Sequence, residues 1–139
     1  MSSNFTKPQI YFIEGYQHAG DKLSRWNLSS RLHVWRPPTD VFETENGLII
    51  RIEIAGMQED DFTILLDGQK LSVRGMRYDF PERRAYHQME IPFGEFASEV
   101  DLPFNIDSEH IEAVYQAGFL RITLPRREPQ HVSIQLPEE

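Results

Sequence analysis

The chain has 139 residues, of which 40% are hydrophobic and 26% charged, with a formal net charge of −8 and no cysteine. That length suits one domain with short appendages, and the composition is ordinary for a globular protein with enough apolar material for a single core. The missing cysteines exclude disulfides, thiolate catalysis and cysteine-based zinc sites, and the acidic balance argues against general nucleic-acid binding, which needs a basic surface to displace counterions.

Residues 1–36 form the first piece. "MSSNFTKPQIYFIEG" lacks the basic, apolar and small-residue succession of a secretory signal, and no apolar run in the chain approaches the ~20 residues that span a bilayer. A cytoplasmic location with no membrane partner is therefore expected. The piece holds Phe5, Tyr11, Phe12, Tyr16, Trp26 and Trp35, which include both tryptophans. Its apolar residues keep no sustained period, although Leu28, Leu32 and Trp35 would line one face of a short helix. It is basic, with Lys7, Lys22, Arg25, Arg31 and Arg36 against Glu14 and Asp21, while the remainder is strongly acidic. A basic arm on an acidic body can fold back on that body or reach a neighbour's. "RPPTD" then ends any helix, because proline cannot continue one and biases the preceding residue toward extended geometry.

From residue 37 to 125 the chain reads as strands and turns. "LIIRIEIAG" sets Leu48, Ile50, Ile52 and Ile54 on one face, with Arg51 and Glu53 on the other. "DFTILLDG" repeats the device with Phe62, Ile64 and Leu66, and "KLSVRG" with Leu71 and Val73; "DGQK" between them is a turn in which Gly68 supplies positive φ. "GEFASEVDLP" divides Phe96, Val100 and Leu102 from Glu95, Glu99 and Asp101. "HIEAVYQAGFLRITLP" supplies two more strands, broken near Gln116–Gly118. Short alternating strands separated by turns predict an antiparallel β-sandwich, and no segment reads as a long helix.

Two stretches stand apart. Arg77–Gly94, "RYDFPERRAYHQMEIPFG", is a long connection bracketed by Pro81 and Pro92, of a length that is usually functional in a compact domain; "AYHQMEI" inside it has the makings of a strand away from the parent sheet. Residues 126–139 form a C-terminal extension, in which the polar "RREPQ" precedes "HVSIQL". There Val132, Ile134 and Leu136 alternate as in a half-buried strand. So short a strand cannot order itself alone, since fixing each residue costs roughly 1–2 kcal/mol of backbone entropy. It must lie along an existing sheet, either its own or a neighbour's.

An enzyme needs a site, and none is legible. The histidines at positions 18, 33, 87, 110 and 131 have no metal-ligand spacing, no nucleophile motif occurs, and the acidic clusters "QEDD", "EFASEVD" and "PEE" read as solvated turns and outward strand faces. No glycine loop of the phosphate-cradling kind is present, so neither a nucleotide nor any other cofactor is expected.

Together these blocks resemble the α-crystallin domain of the small heat-shock proteins, in its bacterial and plant form. The resemblance runs from "DVFETENGLIIRIEIAGMQEDDFTILLDGQKLSVRGMR" through "YHQMEIPFGEFASEVDLP" to "AVYQAGFLRITLPR". Its most specific part is Ala113, Gly118 and Leu120, continuing to Pro125, and the ending resembles the family's C-terminal I-x-I motif. One departure is Ser98, where the family usually carries an arginine that sits in interface contacts.

The resemblance implies an all-β, immunoglobulin-like antiparallel sandwich with a poorly structured or partly helical N-terminal arm. It implies an ATP-independent chaperone that holds partly unfolded client proteins and assembles from homodimers into larger homo-oligomers. Tyr86, His87, Gln88, Met89 and Glu90 would be a strand exchanged onto a partner's edge near Asp40–Glu43. Val132, Ile134 and Leu136 would dock in a neighbour's groove between Phe62–Asp67 and Ile111–Ala117. Phe5, Tyr11, Phe12, Trp26 and Trp35 are the candidates for client binding or for packing inside the assembly. The alternative is a non-chaperone or co-chaperone sandwich that docks one defined partner.

Overall fold

The computed structural model describes residues 8–12, 33–129 and 133–137. Among the described residues there are eight strands: β1 (Ile10–Phe12), β2 (Thr39–Thr44), β3 (Gly47–Glu53), β4 (Phe62–Asp67), β5 (Lys70–Arg77), β6 (Gly94–Asp101), β7 (Glu112–Gln116) and β8 (Phe119–Leu124). They form two four-stranded sheets, ordered β1-β4-β5-β6 and β2-β3-β8-β7. Every pairing is antiparallel except that of β1 with β4, which is parallel. Among the described residues, helix is confined to single 3₁₀ turns at Glu59–Asp61 and Ser108–His110. The expected all-β sandwich is therefore the fold, with one short N-terminal strand added to an edge.

Period-two patterning builds the core. Leu48, Ile50, Ile52 and Ile54 meet Phe62, Ile64, Leu66, Leu71, Val73, Phe96, Val100 and Leu102 from the other sheet, and Ala113, Leu120, Ile122 and Leu124 complete one cluster. Each large side chain so buried contributes roughly 1.5–3 kcal/mol. Phe62 bridges the sheets, with its ring 6.1 Å from Phe96 and 4.9 Å from Tyr115. The Tyr115 hydroxyl donates to the Ile54 carbonyl at 2.7 Å and accepts from the Met57 N–H at 3.3 Å, which ties β7 to the segment leading into β4. Ile49 and Leu65 are buried as well, on the faces turned away from this cluster.

Close backbone packing explains the alanine–glycine–leucine signature. Ala113 pairs with Ile122 and is buried, Leu120 is fully buried, and between them Ala117 and Gly118 form the two-residue turn of the β7–β8 hairpin. Their φ values of 53° and 82° are those of a turn with both central residues left-handed, the geometry that matches strand twist. Glycine suits the second position doubly: it takes φ 82° without strain, and a Cβ there would stand 3.3 Å from that of Ala55, whose neighbour Ile54 donates its N–H to the Gly118 carbonyl at 2.8 Å.

Trp35–Pro38 straps the two sheets together. Trp35 makes a parallel bridge to Phe96 on the outer edge of β6, donating to Glu95 O at 3.1 Å and accepting from the Ala97 N–H at 3.0 Å. It is thus extended, not part of the helical face suggested with Leu28 and Leu32, which lie outside the described residues. Three residues on, the Pro38 carbonyl accepts from the Glu53 N–H of β3 at 3.0 Å. Beneath this strap Ser98 is 1% exposed. Its Oγ lies 2.7 Å from Thr39 Oγ1 and accepts from Arg36 Nε at 3.4 Å. A guanidinium therefore does reach this position, but it comes from residue 36.

Candidate assembly and client-binding surfaces

The first surface is the seam between β4 and β7, which lie at the same margin of opposite sheets and are joined across the gap by the Phe62–Tyr115 ring contact. β1 lies along it, with Ile10 opposite Ile64, Tyr11 opposite Leu65 and Phe12 opposite Leu66. Ile10 and Phe12 are part-buried against the core, as are Ile106, Ile111 and Tyr115 around the seam. Ordering three residues costs roughly 3–6 kcal/mol, and fully burying two such side chains returns roughly 3–6 kcal/mol, so a strand whose side chains are only part-buried is held by a small margin.

The second surface is the opposite margin of the molecule. β2 ends its sheet, and Val41 stands exposed on it. On its inner side β2 follows β3 from Thr39–Ile52 to Thr44–Gly47. Phe42 meets two cations, the guanidinium carbons of Arg51 and Arg121 lying 5.2 and 5.8 Å from its ring centre, and Arg51 also pairs with Asp40 at 2.6 Å. The outer backbone groups of such a strand are a template for pairing with another chain.

The long connection between β5 and β6 is braced at its base. Arg77 donates from Nη1 to Ala55 O at 3.2 Å and from Nε to Pro92 O at 3.1 Å, with Nη2 also on Pro92 O. Its guanidinium carbon stacks 4.6 Å from the Trp35 ring and 5.1 Å from Phe93. Further out, Arg84 pairs with Asp79 at 2.9 Å, donates to Phe80 O at 2.5 Å and stacks 5.4 Å from Tyr86. These polar contacts leave the apolar side chains outward: Tyr78, Phe80, Tyr86, Met89 and Ile91 are all exposed, Phe80 at 80%. Tyr86–Glu90 carries no strand in the single chain, because a strand needs a ladder to join.

After Pro125 the extension first zips along residues 104–107. The Asp107 backbone N–H donates to Pro125 O at 2.8 Å, the Arg127 backbone N–H donates to Asn105 O at 2.9 Å, and Ile106 forms a β-bridge with Arg126. Arg127 then lines one pocket with Phe12, Leu66 and Ile106, at the end of the β1 seam. Ile134 and Leu136 are 82% and 83% exposed and belong to no strand. Val132 lies outside the described residues, as do Phe5 and Trp26 of the aromatic arm. Of that arm, Tyr11 and Phe12 stand in β1, and Trp35 packs 5.7 Å from Phe96.

Three features were not read from the sequence. "IYF" is too short to show a period, and its partner β4 lies more than fifty residues downstream. Arg77 could have been suspected only as the residue at which alternation stops. Arg36 and Thr39 meet Ser98 across about sixty residues of chain, with no local signal.

A two-sheet antiparallel sandwich with an alanine–glycine–leucine hairpin anchored by buried Ala113 and Leu120, a long braced β5–β6 connection and an apolar C-terminal segment defines the α-crystallin type of domain. Residues 40–136 match the Hsp20/alpha crystallin family, and the chain belongs to that family. Among its relatives, small heat shock protein C4 of Rickettsia felis is 31% identical over 127 residues, 88% of this chain and 78% of that protein. Small heat shock protein C2 of the same organism is 33% identical over 94 residues, 66% of this chain but only 61% of the relative. A small heat-shock protein from Xylella fastidiosa superposes with a TM-score of 0.65 at 25% identity, covering 76% of this chain and all of that one. For hspA from Xanthomonas axonopodis the TM-score is 0.63 at 27% identity, over 68% of this chain and 97% of that one.

Proposed function

We propose that this chain is an ATP-independent chaperone that holds partly unfolded proteins and works as a dimer-based homo-oligomer. The observation that carries the reading is the division of the molecule into a filled core and outlying segments that present apolar side chains to solvent. Phe80, Met89 and Ile91 project from the β5–β6 connection, and Ile134 and Leu136 from the extension. Exposed apolar surface of this kind marks interaction sites.

In this reading the dimer forms when residues 86–90 add to a partner's β2 along Asp40–Glu43, converting an open edge into a closed ladder. Larger assembly follows when Val132, Ile134 and Leu136 lie along a neighbour's β4 with alternate side chains in the seam. Clients meet the aromatic arm, Phe5, Tyr11, Phe12 and Trp26, with Trp35 also serving the strap. The acidic body keeps the loaded complex dispersed by charge repulsion, and the cysteine-free chain fits a reducing cytoplasm.

The test is light scattering from two unrelated heat-labile proteins, warmed with and without this protein and with no ATP. Suppression of both at near-stoichiometric subunit ratios is expected. Unchanged aggregation of both would move the reading to a sandwich that docks one defined partner.

A further inference from the structure

We propose that Arg77 is a positioning residue that couples the N-terminal arm to strand exchange: with Trp35 it fixes the root of the β5–β6 connection, so that undocking of Trp35 loosens the dimer. The proposal deepens the reading of residues 86–90 as the exchanged strand, and rests on it. The first argument is where the connection is held. Between Tyr78 and Phe93 every residue but Asp79 is exposed, so the direction of the segment is set at its ends. The downstream end turns at Gly94, whose φ of 96° is a left-handed bend that glycine takes readily. A Cβ at Gly94 would meet nothing within 4 Å, so the bend itself, and not packing, calls for glycine there. Both sides of that bend are clamped. Arg77 donates to Pro92 O two residues before it, and the Trp35 indole N–H donates to Gly94 O at 3.4 Å.

The second argument is that the two clamps hold each other. The Arg77 guanidinium stacks on the Trp35 ring while it reaches Ala55 O and Pro92 O, and Trp35 is bonded through its backbone to Glu95 and Ala97. A planar cation with fixed donors serves the carbonyls and the ring together, which a lysine ammonium does not. The third is what Trp35 leads into. The strap that it begins enters β2 at Thr39, and β2 is the edge on which a partner's residues 86–90 would land. One node therefore fixes both the segment that a protomer donates and the start of the strand on which it receives. Whatever draws Trp35 off β6 frees both. By linkage, a docked exchange strand holds Trp35, and the arm attached to it, in place.

The experiment uses the full chain with Trp26→Phe, which leaves Trp35 as its one tryptophan, and with Ile134→Gly and Leu136→Gly, which confine subunit exchange to the dimer. Exchange is timed by mixing isotopically light and heavy protein and counting mixed dimers by native mass spectrometry. Arg77→Lys should speed it about tenfold, and Trp35→Phe, which keeps a ring but loses the indole donor, about threefold. Ile122→Val, a core change in the other sheet, should lower the urea midpoint and leave the exchange rate as it was. Acrylamide quenching of Trp35 reads the reverse direction. Deleting residues 80–90 should raise it about twofold in the parent and leave it unchanged in the Arg77→Lys form. Parental exchange rates in Arg77→Lys and Trp35→Phe, with the deletion form monomeric, would overturn the coupling and leave strand exchange intact. Equal acceleration by Ile122→Val, or an equal rise in quenching with and without Arg77, would make Arg77 a matter of fold stability alone and overturn the proposal. A deletion form that stays dimeric would overturn strand exchange and the coupling with it.

Discussion

The two margins of the sandwich solve the same problem in opposite ways. At the β4 margin the edge is covered by the chain's own Ile10–Phe12, with apolar side chains turned inward. At the β2 margin no strand covers the edge among the described residues, and the apolar side chains of the β5–β6 connection are turned outward. A sheet edge must be paired, blunted or used, because its backbone groups will find a partner. The comparison teaches that exposed apolar residues matter by what holds them out. Phe80 and Met89 project from a connection whose base Arg77 braces, whereas Ile134 and Leu136 follow a segment zipped to the domain at Arg127.

The largest expected effect breaks the open margin. Deleting residues 80–90 should halve the mass of the basic unit by light scattering; a deletion variant that stays dimeric would sink the strand-exchange reading. Next, Ile134→Gly with Leu136→Gly should reduce the native mass to that of the dimer with little change in thermal midpoint. An unchanged mass with a lower midpoint would mean that the segment packs on its own domain.

A smaller effect sharpens the contrast. Arg77→Lys keeps the charge but loses the planar fork between Trp35 and Phe93, and should cost ~1–2 kcal/mol in urea unfolding. Proteolysis should accelerate within residues 78–92 and leave the β1–β4 margin unaffected. The smallest effect lies away from both margins: Ala117→Asn places a residue that tolerates the left-handed region at φ 53°, and should stabilise by ~0.5–1 kcal/mol. A neutral or negative result in the same titration would mean that the hairpin turn carries little strain.

Much of this was legible in one dimension. Leu48, Ile50, Ile52 and Ile54 face the core as their alternation requires, and Gly68 and Gly118 adopt positive φ where turns were expected. Ser98 kept its place on the buried face although it is polar. The reason Ser98 is tolerated there was not legible, because Arg36 and Thr39 reach it from across the sandwich. The strand that lies along β4 in the single chain is β1, which the sequence did not point to.

The division has a physical origin. Burial of one sheet face writes a period of two into any strand of five or more residues, and turns demand glycine at particular dihedrals, so strands, faces and hairpins are properties of short stretches. Which edge receives which strand depends instead on free-energy differences between distant segments with similar local chemistry. "IYF" and "SIQL" carry nearly the same alternating pattern, yet only the first lies along β4 among the described residues. Only once the sheets have packed does β4 gain β1 as its neighbour, Arg77 become a brace and Ser98 a buried acceptor, because each of these roles is made of neighbours that the chain brings together by folding.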